Sequence, residues 1–580
     1  MIINSRRCVI LYIFPLFLSL LIQISCQTPP DTRQNENNSA ANAHTGDNRH
    51  TSAIQHTGGL ADEIRGLTET GILSSMLQAI ELIRVRDLSG SDFGRMMSGI
   101  NVMLIRLVYP DSPVRLPAAD IPQTFNYSRI IREAERGNYT QPAAGSTDFL
   151  EYILPFLAIN GQNNTDIFPG VLADLQRAGE LRPGSVLPHF LRGVIFERTN
   201  RLNDAVTAYR QAFQISNECY PAQIGIARAR RLLGSPREAI TILTDLITRY
   251  PDSMQIRREL ALSYFAARDW QRGLPAVDEI LRADPRDGEF LLLRASILIE
   301  QGQFPQANTT LDNFASINPN DRSYLYMRAR VQAEGNRNRD SALNYLRSIL
   351  RNNPNDTEAM IYAVTLLMDS SRQADLNEGR ELLERLRRIS GASVEVLSLS
   401  MRDAVNRGSW QEAQGFLNRI LANRRTNQDL IDGYYIERGL RNNSRALTYA
   451  RELYDRDNSN NEFTGVYISA LIDNNRRDEA SRLLDNRLDT APAGPAKSRY
   501  YFLRSRLRTN SDDALSDLRS SLFEDPRNLD AIIAMFEIYH NRREERRAVH
   551  YLRQGLAISP DHPQLKRYEQ EYANLLGRGQ

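Results

Sequence analysis

Three stretches of thirteen residues decide how this sequence folds: AITILTDLITRYP at 239–251, GLPAVDEILRADP at 273–285 and ANTTLDNFASINP at 307–319. Each stretch opens with a small residue, has an apolar residue four positions later, and ends in proline. Residues four apart lie on one face of an α-helix, and proline stops a helix. We therefore predict a short helix in each stretch, with its apolar face buried.

The opening residue, called the anchor below, recurs along the chain in steps of 33 to 37 residues. The anchors are Ala205, Ala239, Gly273, Ala307, Ala342, Gly379, Ala413, Ala446, Ala480, Ala514 and Ala548. A second small residue stands twelve positions before the first four anchors, at Gly193, Ala227, Ala261 and Ala295, where it lets two helices cross closely. Because one helical hairpin cannot bury its apolar face alone, we expect such units to stack on one another.

This pattern of small, small, aromatic and proline positions resembles the tetratricopeptide repeat over residues 186–562. The resemblance implies an all-α fold, a right-handed α-solenoid (superhelix) of about 11–12 antiparallel helix pairs. It also implies that the first helix of each pair lines a concave groove, which in that family usually binds a partner protein or peptide.

The repeat register weakens in three places. Val171 and Pro183 keep the spacing of an anchor and its proline, which predicts a degenerate repeat at 151–185. Repeats near 356–391 and 427–460 change length and lack some of the expected residues, so we expect a kink or a groove break there.

The two ends of the folded region lack the regularly spaced prolines of the repeats. Residues 59–150 carry apolar stripes at helical spacing, at 72–88 and 93–107, and are predicted to be an N-terminal helical region. This region either docks onto the first repeats or consists of more decayed repeats. Residues 563–580 are predicted to form a capping helix with a charged outer face.

The first 25 residues are typical of an export signal. Arg6 and Arg7 precede an apolar run at 9–22, which is too short for a membrane span and has the length of a signal peptide core. We therefore predict that residues 1–25 are removed from the mature protein.

The sequence IQISC at 22–26 resembles the lipobox of bacterial lipoproteins, although Gln23 stands where that family usually has leucine. The resemblance implies cleavage before Cys26 and a lipid anchor on that cysteine. The alternative is an ordinary cleaved signal with an incidental cysteine. Residues 26–58 are polar and of low complexity, so we expect a disordered tether.

Composition excludes several classes of function. The chain has 72 basic and 70 acidic residues, and without Arg6 and Arg7 the two are equal, so no general nucleic-acid binding is expected. Only two of the basic residues are lysine, and neither follows a glycine-rich phosphate loop. We find no catalytic or metal-binding motif, and predict no cofactor, no metal and no enzyme activity. Cys219 is predicted to be a buried free thiol.

The groove supplies the one candidate binding site. In the geometry of the resembled family, the groove positions lie 18, 15, 11, 8 and 7 residues before each anchor. In the second and third repeats they include Arg228, Arg231, Arg258, Leu262 and Phe265. Three guanidinium groups beside two apolar side chains could hold an acidic segment of a partner. The alternative is that these arginines pair with acids on neighbouring repeats, such as Glu197 and Glu259.

The resulting functional hypothesis is a membrane-anchored scaffold for protein partners, acting in cell-envelope assembly or secretion. Its expected location is the outer membrane, facing the periplasm, with the lipid as the only membrane contact. One alternative is a surface-exposed, adhesin-like ligand binder. A further alternative is an enzyme or polysaccharide-binding subunit with its site in residues 59–185.

Overall fold

The computed structural model describes residues 53–573, except 113, 115, 118, 120, 124–125, 160–164 and 561. All regular elements in these described ranges are helices, as the sequence predicts. The chain divides into two compact units, whose described parts are residues 53–342 and 343–573. We call them the first and the second unit. The predicted signal peptide 1–25, Cys26 and most of the tether lie outside the described residues.

The first unit opens with six helices that precede the regular repeats. They are α1 (Ala53–Thr70), α2 (Leu73–Val85), α3 (Asp92–Val108), α4 (Asn126–Glu135), α5 (Phe149–Ile153) and α6 (Phe168–Leu181), with 3₁₀ segments at Leu154–Ile159 and Thr165–Ile167. Helix α1 begins inside the segment expected to be a tether. Once a helix has its first turn, each further residue adds a backbone hydrogen bond at little cost, which allows α1 to begin before residue 59.

Helix pairs fill the rest of the first unit. They are α7 (Leu187–Arg198) with α8 (Leu202–Ile215), α9 (Tyr220–Leu232) with α10 (Pro236–Arg249), α11 (Met254–Ala266) with α12 (Trp270–Ala283), and α13 (Gly288–Glu300) with α14 (Phe304–Ala315). Helix α15 (Arg322–Arg330) continues into a π-helical segment, Val331–Gly335.

The second unit repeats the same arrangement. Its helices are α16 (Arg339–Asn352, most of which lies in this unit), α17 (Thr357–Met368), α18 (Gln373–Ser390), α19 (Val394–Asn406), α20 (Trp410–Leu421), α21 (Asn427–Gly439), α22 (Asn443–Arg456), α23 (Asn461–Asp473), α24 (Arg477–Thr490), α25 (Pro495–Ser505), α26 (Ser511–Glu524), α27 (Leu529–Asn541), α28 (Glu545–Ile558) and α29 (Pro563–Glu571).

Small residues allow the helices to interlock as the spacing predicts. The ring of Tyr209, four residues after the anchor Ala205, lies between Gly193 of α7 and Gly225 of α9. A Cβ atom on either glycine would lie 2.5 Å from that ring. The Tyr209 hydroxyl donates a hydrogen bond of 2.9 Å to Glu197. Because the ring is fully buried and its hydroxyl is satisfied, this contact locks α7, α8 and α9 together.

The turn within most helix pairs has one residue in the left-handed region, five positions before the anchor. These residues are Asn200, Gly234, Arg268, Gly302, Arg337, Gly408, Arg441, Asn475 and Arg543. Glycine adopts this conformation without strain, whereas in arginine it is sterically strained. At Arg268, Arg337, Arg441 and Arg543 the turn is therefore imposed by the packing of the two helices, whereas glycine and asparagine at the other five positions favour it themselves.

The N-terminal helices dock onto the first repeats. The carbonyl of Thr70 accepts a hydrogen bond of 3.0 Å from the backbone of Val186, and Asp111 accepts one of 2.9 Å from the hydroxyl of Ser253. A continuous apolar core runs from Ile64 to Ile256. The described part of this interface is filled by apolar side chains.

Cys219 lies within this core. It is fully buried and forms no disulfide, as predicted, and burial raises the pKa of its thiol to about 12. A thiol with so high a pKa is not a nucleophile at neutral pH.

The length changes that the sequence predicts in the second unit affect its helices differently from what we expect. Helix α18 has 18 residues and takes up the length change at 356–391. Helices α21 and α22 have ordinary lengths of 13 and 14 residues, and one apolar core runs from Leu397 to Leu503. The apolar core is therefore continuous through residues 427–460, although this segment lacks the expected proline. We find no break of the core there.

The second unit ends in a capping helix within its described part. Leu565 of α29 is fully buried and packs close to Gly555. The rings of Tyr568 and Tyr572 lie 4.8 and 6.2 Å from the ring of Phe536. Helix α29 thus covers the apolar side of α27 and α28, as the sequence predicts.

Candidate functional site

The residues 18, 15, 11, 8 and 7 positions before each anchor lie on the first helix of each pair or in the few residues that follow it, and we call them the first-helix face. In the first unit this face carries a chain of ion pairs between successive repeats. Arg228 of α9 contacts Glu197 of α7 at 3.3 Å and Glu259 of α11 at 2.6 Å. Arg231 contacts the other oxygen of Glu259 at 3.1 Å. Two arginines and two carboxylates thus link three consecutive repeats.

The protonation of Glu259 follows from these contacts. Burial alone would raise the pKa of its carboxyl, but the charges of Arg228 and Arg231 outweigh burial and hold the pKa below its ordinary value. Burial alone would lower the pKa of the Arg228 guanidinium. The charges of Glu259 and Glu197 outweigh burial and raise this pKa well above its ordinary value. Both groups are therefore charged at neutral pH.

Arg258, the third predicted arginine, is also paired. Its guanidinium contacts Asp287 and, at 2.5 Å, Glu289 of α13. It also lies 4.4 Å above the centre of the Phe290 ring. The alternative interpretation of these arginines, pairing with acids on neighbouring repeats, is therefore confirmed for Arg258 as well as for Arg228 and Arg231.

The two predicted apolar residues have different environments. Leu262 is half-buried on α11, one turn after Arg258. Phe265 is buried and packs against Trp270, with ring centres 5.5 Å apart. The structure thus places all five predicted residues on neighbouring first helices, α9 and α11, and their role in partner binding stays a prediction.

The first-helix face of the second unit has a similar contact around Asp473. This carboxylate of α23 lies 2.9 Å from Arg438 of α21 and 2.6 Å from Arg506, the residue that ends α25. Arg506 also donates a hydrogen bond of 3.1 Å to the hydroxyl of Ser469. Two guanidinium groups share one carboxylate here, so the contact keeps a net positive charge.

Arg499 of α25 differs from every arginine described above. It lies fifteen residues before its anchor, and Gly465 occupies the same position on α23. A Cβ atom on Gly465 would lie 2.7 Å from Nε of Arg499, so the guanidinium packs directly onto this glycine. Within the described residues Arg499 forms no ion pair and no hydrogen bond, although its side chain is only half-exposed.

Asp432 of α21, one residue after a position of this face, is the second unusual group of this unit. Its carboxylate accepts a hydrogen bond of 2.9 Å from Gln428. Burial, reinforced by the nearby charge of Asp429, raises the pKa of Asp432 to about 6. The carboxylate is therefore ionised at neutral pH at an energetic cost, since the nearby charge of Arg424 only partly offsets its burial and it forms no ion pair within the described residues.

A cleft of about 400 Å³ opens elsewhere in the second unit, between α18 and α20. Its lining residues are Arg387, Gly391, Ala392, Leu397, Ser400, Phe416 and Arg419. Both arginines are already bonded, Arg387 to Ser400 at 2.9 Å and Arg419 to the carbonyl of Gly391 at 2.9 Å. We therefore consider the first-helix faces, and not this cleft, as the candidate site.

The sequence analysis missed Arg499 and Gly465, although two signals for them are present. Residues 495–508 carry Lys497, Arg499, Arg504, Arg506 and Arg508 and no acidic residue. The groove spacing that identifies Arg258 in the third repeat identifies Arg499 and Gly465 when it is applied to later repeats. The pairing state of each arginine depends on side chains from other repeats and needs the structure.

Two further properties concern the described residues only. In that part of the chain, no group of three or more His, Cys, Asp or Glu side chains is arranged to hold a metal ion. No helix of the described ranges has the length and apolarity needed to span a membrane.

Comparison with known families identifies the repeat. Three family models, each described as Tetratricopeptide repeat, match residues 224–288, 264–331 and 323–356. The three matches together span residues 224–356, which include Arg228, Glu259 and Arg258. No curated protein matches the chain.

Several solved structures match parts of the chain at low sequence identity and low TM-score. PilW, described as a widely conserved type IV pilus biogenesis factor, is 17% identical, with 34% of this chain and 91% of PilW covered and a TM-score of 0.32. Yeast Tom70 is 12% identical, with 74% and 96% covered and a TM-score of 0.34. A chain of the APC/C hetero-tetramer Cut9–Hcn1 is 13% identical, with 87% and 93% covered and a TM-score of 0.38.

Proposed function

We propose that this protein is a non-catalytic scaffold that binds protein partners along its first-helix faces. The observation that carries the proposal is the match of residues 224–356 to tetratricopeptide repeats, together with the ion pairs that join first helices α9, α11 and α13 in the first unit. Proteins built from such repeats typically act through an extended binding surface and not through a catalytic cleft.

The contacts on this face suit it to bind a partner. Arg228, Arg231 and Glu259 hold one another across consecutive repeats, so their side chains are fixed before a partner arrives. Half-buried Leu262 adds an apolar surface beside them. A surface that is ordered in advance loses less conformational entropy on binding, which favours affinity.

Photo-cross-linking in membranes tests the position of the binding surface. A photoreactive amino acid would replace Leu262 on the first-helix face, and Thr241, an exposed residue of the second helix α10, would be the matched control. We expect a cross-linked protein partner from position 262 and none from 241. Cross-links from 241 alone, or from neither position, would contradict the proposal.

We further propose that the scaffold is anchored by a lipid on Cys26 and acts at the cell envelope. The support is the sequence at 22–26, which resembles a lipobox. Labelling with an alkyne fatty acid should mark the wild-type chain and not a Cys26→Ala variant. Equal labelling of both chains, or of neither, would exclude this anchor.

Protease treatment of intact cells separates the two envelope hypotheses. A scaffold that faces the periplasm is protected until the outer membrane is opened. A surface-exposed binder is cut in intact cells, and that outcome would favour the adhesin-like alternative.

A further inference from the structure

We infer that the first-helix face at α25 binds a carboxylate of an acidic segment in a protein partner, with Arg499 as the residue that pairs with it. The inference rests on the proposed function, because it names the chemistry of the partner for one part of the same kind of face. Its basis is a comparison of Arg499, on α25, with Arg506, the residue directly after α25.

Arg506 and Arg499 both contact α23, but α23 offers them different partners. Opposite Arg506 it supplies the carboxylate of Asp473 at 2.6 Å and the hydroxyl of Ser469 at 3.1 Å. Opposite Arg499 it supplies Gly465, which has no side chain. A guanidinium group has five N–H donors, and those of Arg499 have no acceptor among the described residues.

The charges around Arg499 favour an anionic ligand. Lys497, two residues earlier, also forms no ion pair within the described part of the chain. Arg504 and Arg508 both pair with a single carboxylate, that of Asp517, at 2.6 and 2.7 Å. The segment 495–508 therefore has more positive charge than its neighbours neutralise.

The geometry favours a carboxylate from outside the chain. The guanidinium lies directly on Gly465, where no side chain separates it from the helix, and a planar guanidinium can bind a carboxylate through two parallel hydrogen bonds. The nearest acidic candidate on α23 is Glu462, one turn before Gly465, and its exposed side chain forms no ion pair with Arg499.

A protein partner is favoured over a nucleic acid. Only Lys497 and Arg499 are left without an ion pair on this helix, and the whole chain is close to neutral. Binding to a phosphate polymer depends on several cations that displace counterions together. Two cations suit one or two carboxylates of a peptide.

The experiment measures peptide binding to the full-length protein by fluorescence anisotropy. The probe is a fluorescein-labelled peptide of alternating glutamate and glycine, and the matched peptide has glutamine in place of glutamate. The variant is Arg499→Gln. Its control is Arg482→Gln, which removes the same charge from an exposed position on the second helix α24.

We expect the glutamate peptide to bind and the glutamine peptide not to bind. Arg499→Gln should weaken binding by about tenfold, since a charged hydrogen-bonded pair is lost, while Arg482→Gln should have no effect. Equal losses in both variants would show that the attraction is a general charge effect and would overturn the inference. Absence of binding to the wild-type chain would overturn it as well.

A second pair of variants tests the role of the missing side chain. Gly465→Asp places a carboxylate of the chain itself beside Arg499 and should abolish peptide binding. Gly465→Asn has nearly the same shape without the charge and should retain most of the binding. Similar affinities in the two variants would contradict the inference, provided that circular dichroism shows both to be folded.

The outcome is separate from the test of the proposed function. The cross-linking position 262 lies in the first unit and the peptide variants lie in the second. If position 262 cross-links to a partner but the glutamate peptide does not bind, the scaffold stands and the acidic ligand is excluded.

Discussion

Glu259 of the first unit and Asp432 of the second unit occupy the same place in their repeats, and their pKa values move in opposite directions. Each lies fourteen residues before its anchor, on the first helix of a pair. The pKa of Glu259 is lowered, whereas that of Asp432 is raised to about 6. The position within a repeat therefore decides where an acid lies and does not decide its protonation.

The cause of the difference lies in the preceding repeat. In the repeat that precedes Glu259, the residues eleven and eight positions before the anchor Ala239 are Arg228 and Arg231. Both contact Glu259. In the repeat that precedes Asp432, the corresponding residues are Arg402 and Val405. Arg402 contacts Asp369 at 3.5 Å and the carbonyl of Thr365 at 3.2 Å, so its charge is used elsewhere.

The largest expected effect comes from removing the charge that Arg228 and Arg231 share. Glu259→Gln should destabilise the first unit by about 3 kcal/mol, because two partly buried guanidinium groups lose their common carboxylate. Urea unfolding would be followed in a Trp410→Phe background, where Trp270 reports the first unit alone.

The matched control for this prediction is Glu462→Gln. Glu462 is an exposed carboxylate on a first helix of the second unit, and its removal, read from Trp410 in a Trp270→Phe background, should change stability by less than about 0.5 kcal/mol. If both substitutions cost the same, the ion pairs of Glu259 do not stabilise the first unit, and the contrast with the second unit fails.

Two glycines of first helices test how firmly each face is packed. A Cβ atom at Gly193 meets the fixed ring of Tyr209 at 2.5 Å, so Gly193→Ala should destabilise the first unit by about 2 kcal/mol. A Cβ atom at Gly465 would meet Nε of Arg499, which lies near the end of a flexible side chain. Gly465→Ala should therefore be neutral or stabilise the second unit by about 0.5 kcal/mol through helix propensity.

Thermal unfolding of the two alanine variants, followed by the tryptophan of the same unit, checks this pair. Equal destabilisation would mean that Arg499 is held as rigidly as Tyr209. In that case the site at α25 would be a packed contact and not an open one.

Asp432→Asn should stabilise the second unit at pH 7 by about 1 kcal/mol. The substitution removes a partly buried charge, and asparagine can still accept the hydrogen bond from Gln428. The midpoint of urea unfolding, read from Trp410 in a Trp270→Phe background, gives the change. A destabilised variant would show that the charge of Asp432 has a partner that compensates its burial.

The smallest effect is a dependence on pH that differs between the two acids. The folded pKa of Asp432, about 6, exceeds the unfolded value of about 3.9, so folding takes up a proton between these values. The contribution of Asp432 to stability therefore increases as pH falls from 7 to 4. We expect the Trp410 transition to gain about 1 kcal/mol from pH 7 to pH 5, and Asp432→Asn to remove that gain.

Glu259 should behave in the opposite way. Its folded pKa lies below the unfolded value of about 4.3, so its contribution is complete above that value and is lost as pH falls through the folded pKa. Unfolding curves of wild type and Glu259→Gln, read from Trp270, should converge below pH 4. A constant difference down to pH 3 would exclude ionisation of Glu259 as the cause.

Much of the helical pattern follows from the sequence because it depends on spacing alone. The anchors lie near the start of the second helices and are buried, since a small residue and an apolar residue four positions later share one face. The turn conformation at Arg268 and Arg441 does not follow from the sequence, because arginine does not favour a positive φ. There the packing of two helices overrides the local preference.

The site is only partly predictable for a related reason. The spacing places Arg228, Arg231, Arg258 and Leu262 on first helices, and the structure has them there. It leaves open whether the three arginines bind a partner or pair within the chain, and the structure pairs them with Glu197, Glu259, Asp287 and Glu289. Phe265 carries the same signal as Leu262 but turns into the hairpin against Trp270, a choice made by the neighbouring helix.

The sequence by itself determined the all-helical repeat fold and the positions that face inward or outward, because these follow from a period of about 34 residues and from the 3.6-residue turn of the helix. Only the tertiary structure decided which charges are satisfied. An ion pair between repeats joins residues about 30 positions apart, as with Arg228 and Glu259 or Arg258 and Glu289. Whether such a pair forms depends on side chains from two or three repeats at once, and at Gly465 the missing side chain leaves Arg499 without a partner.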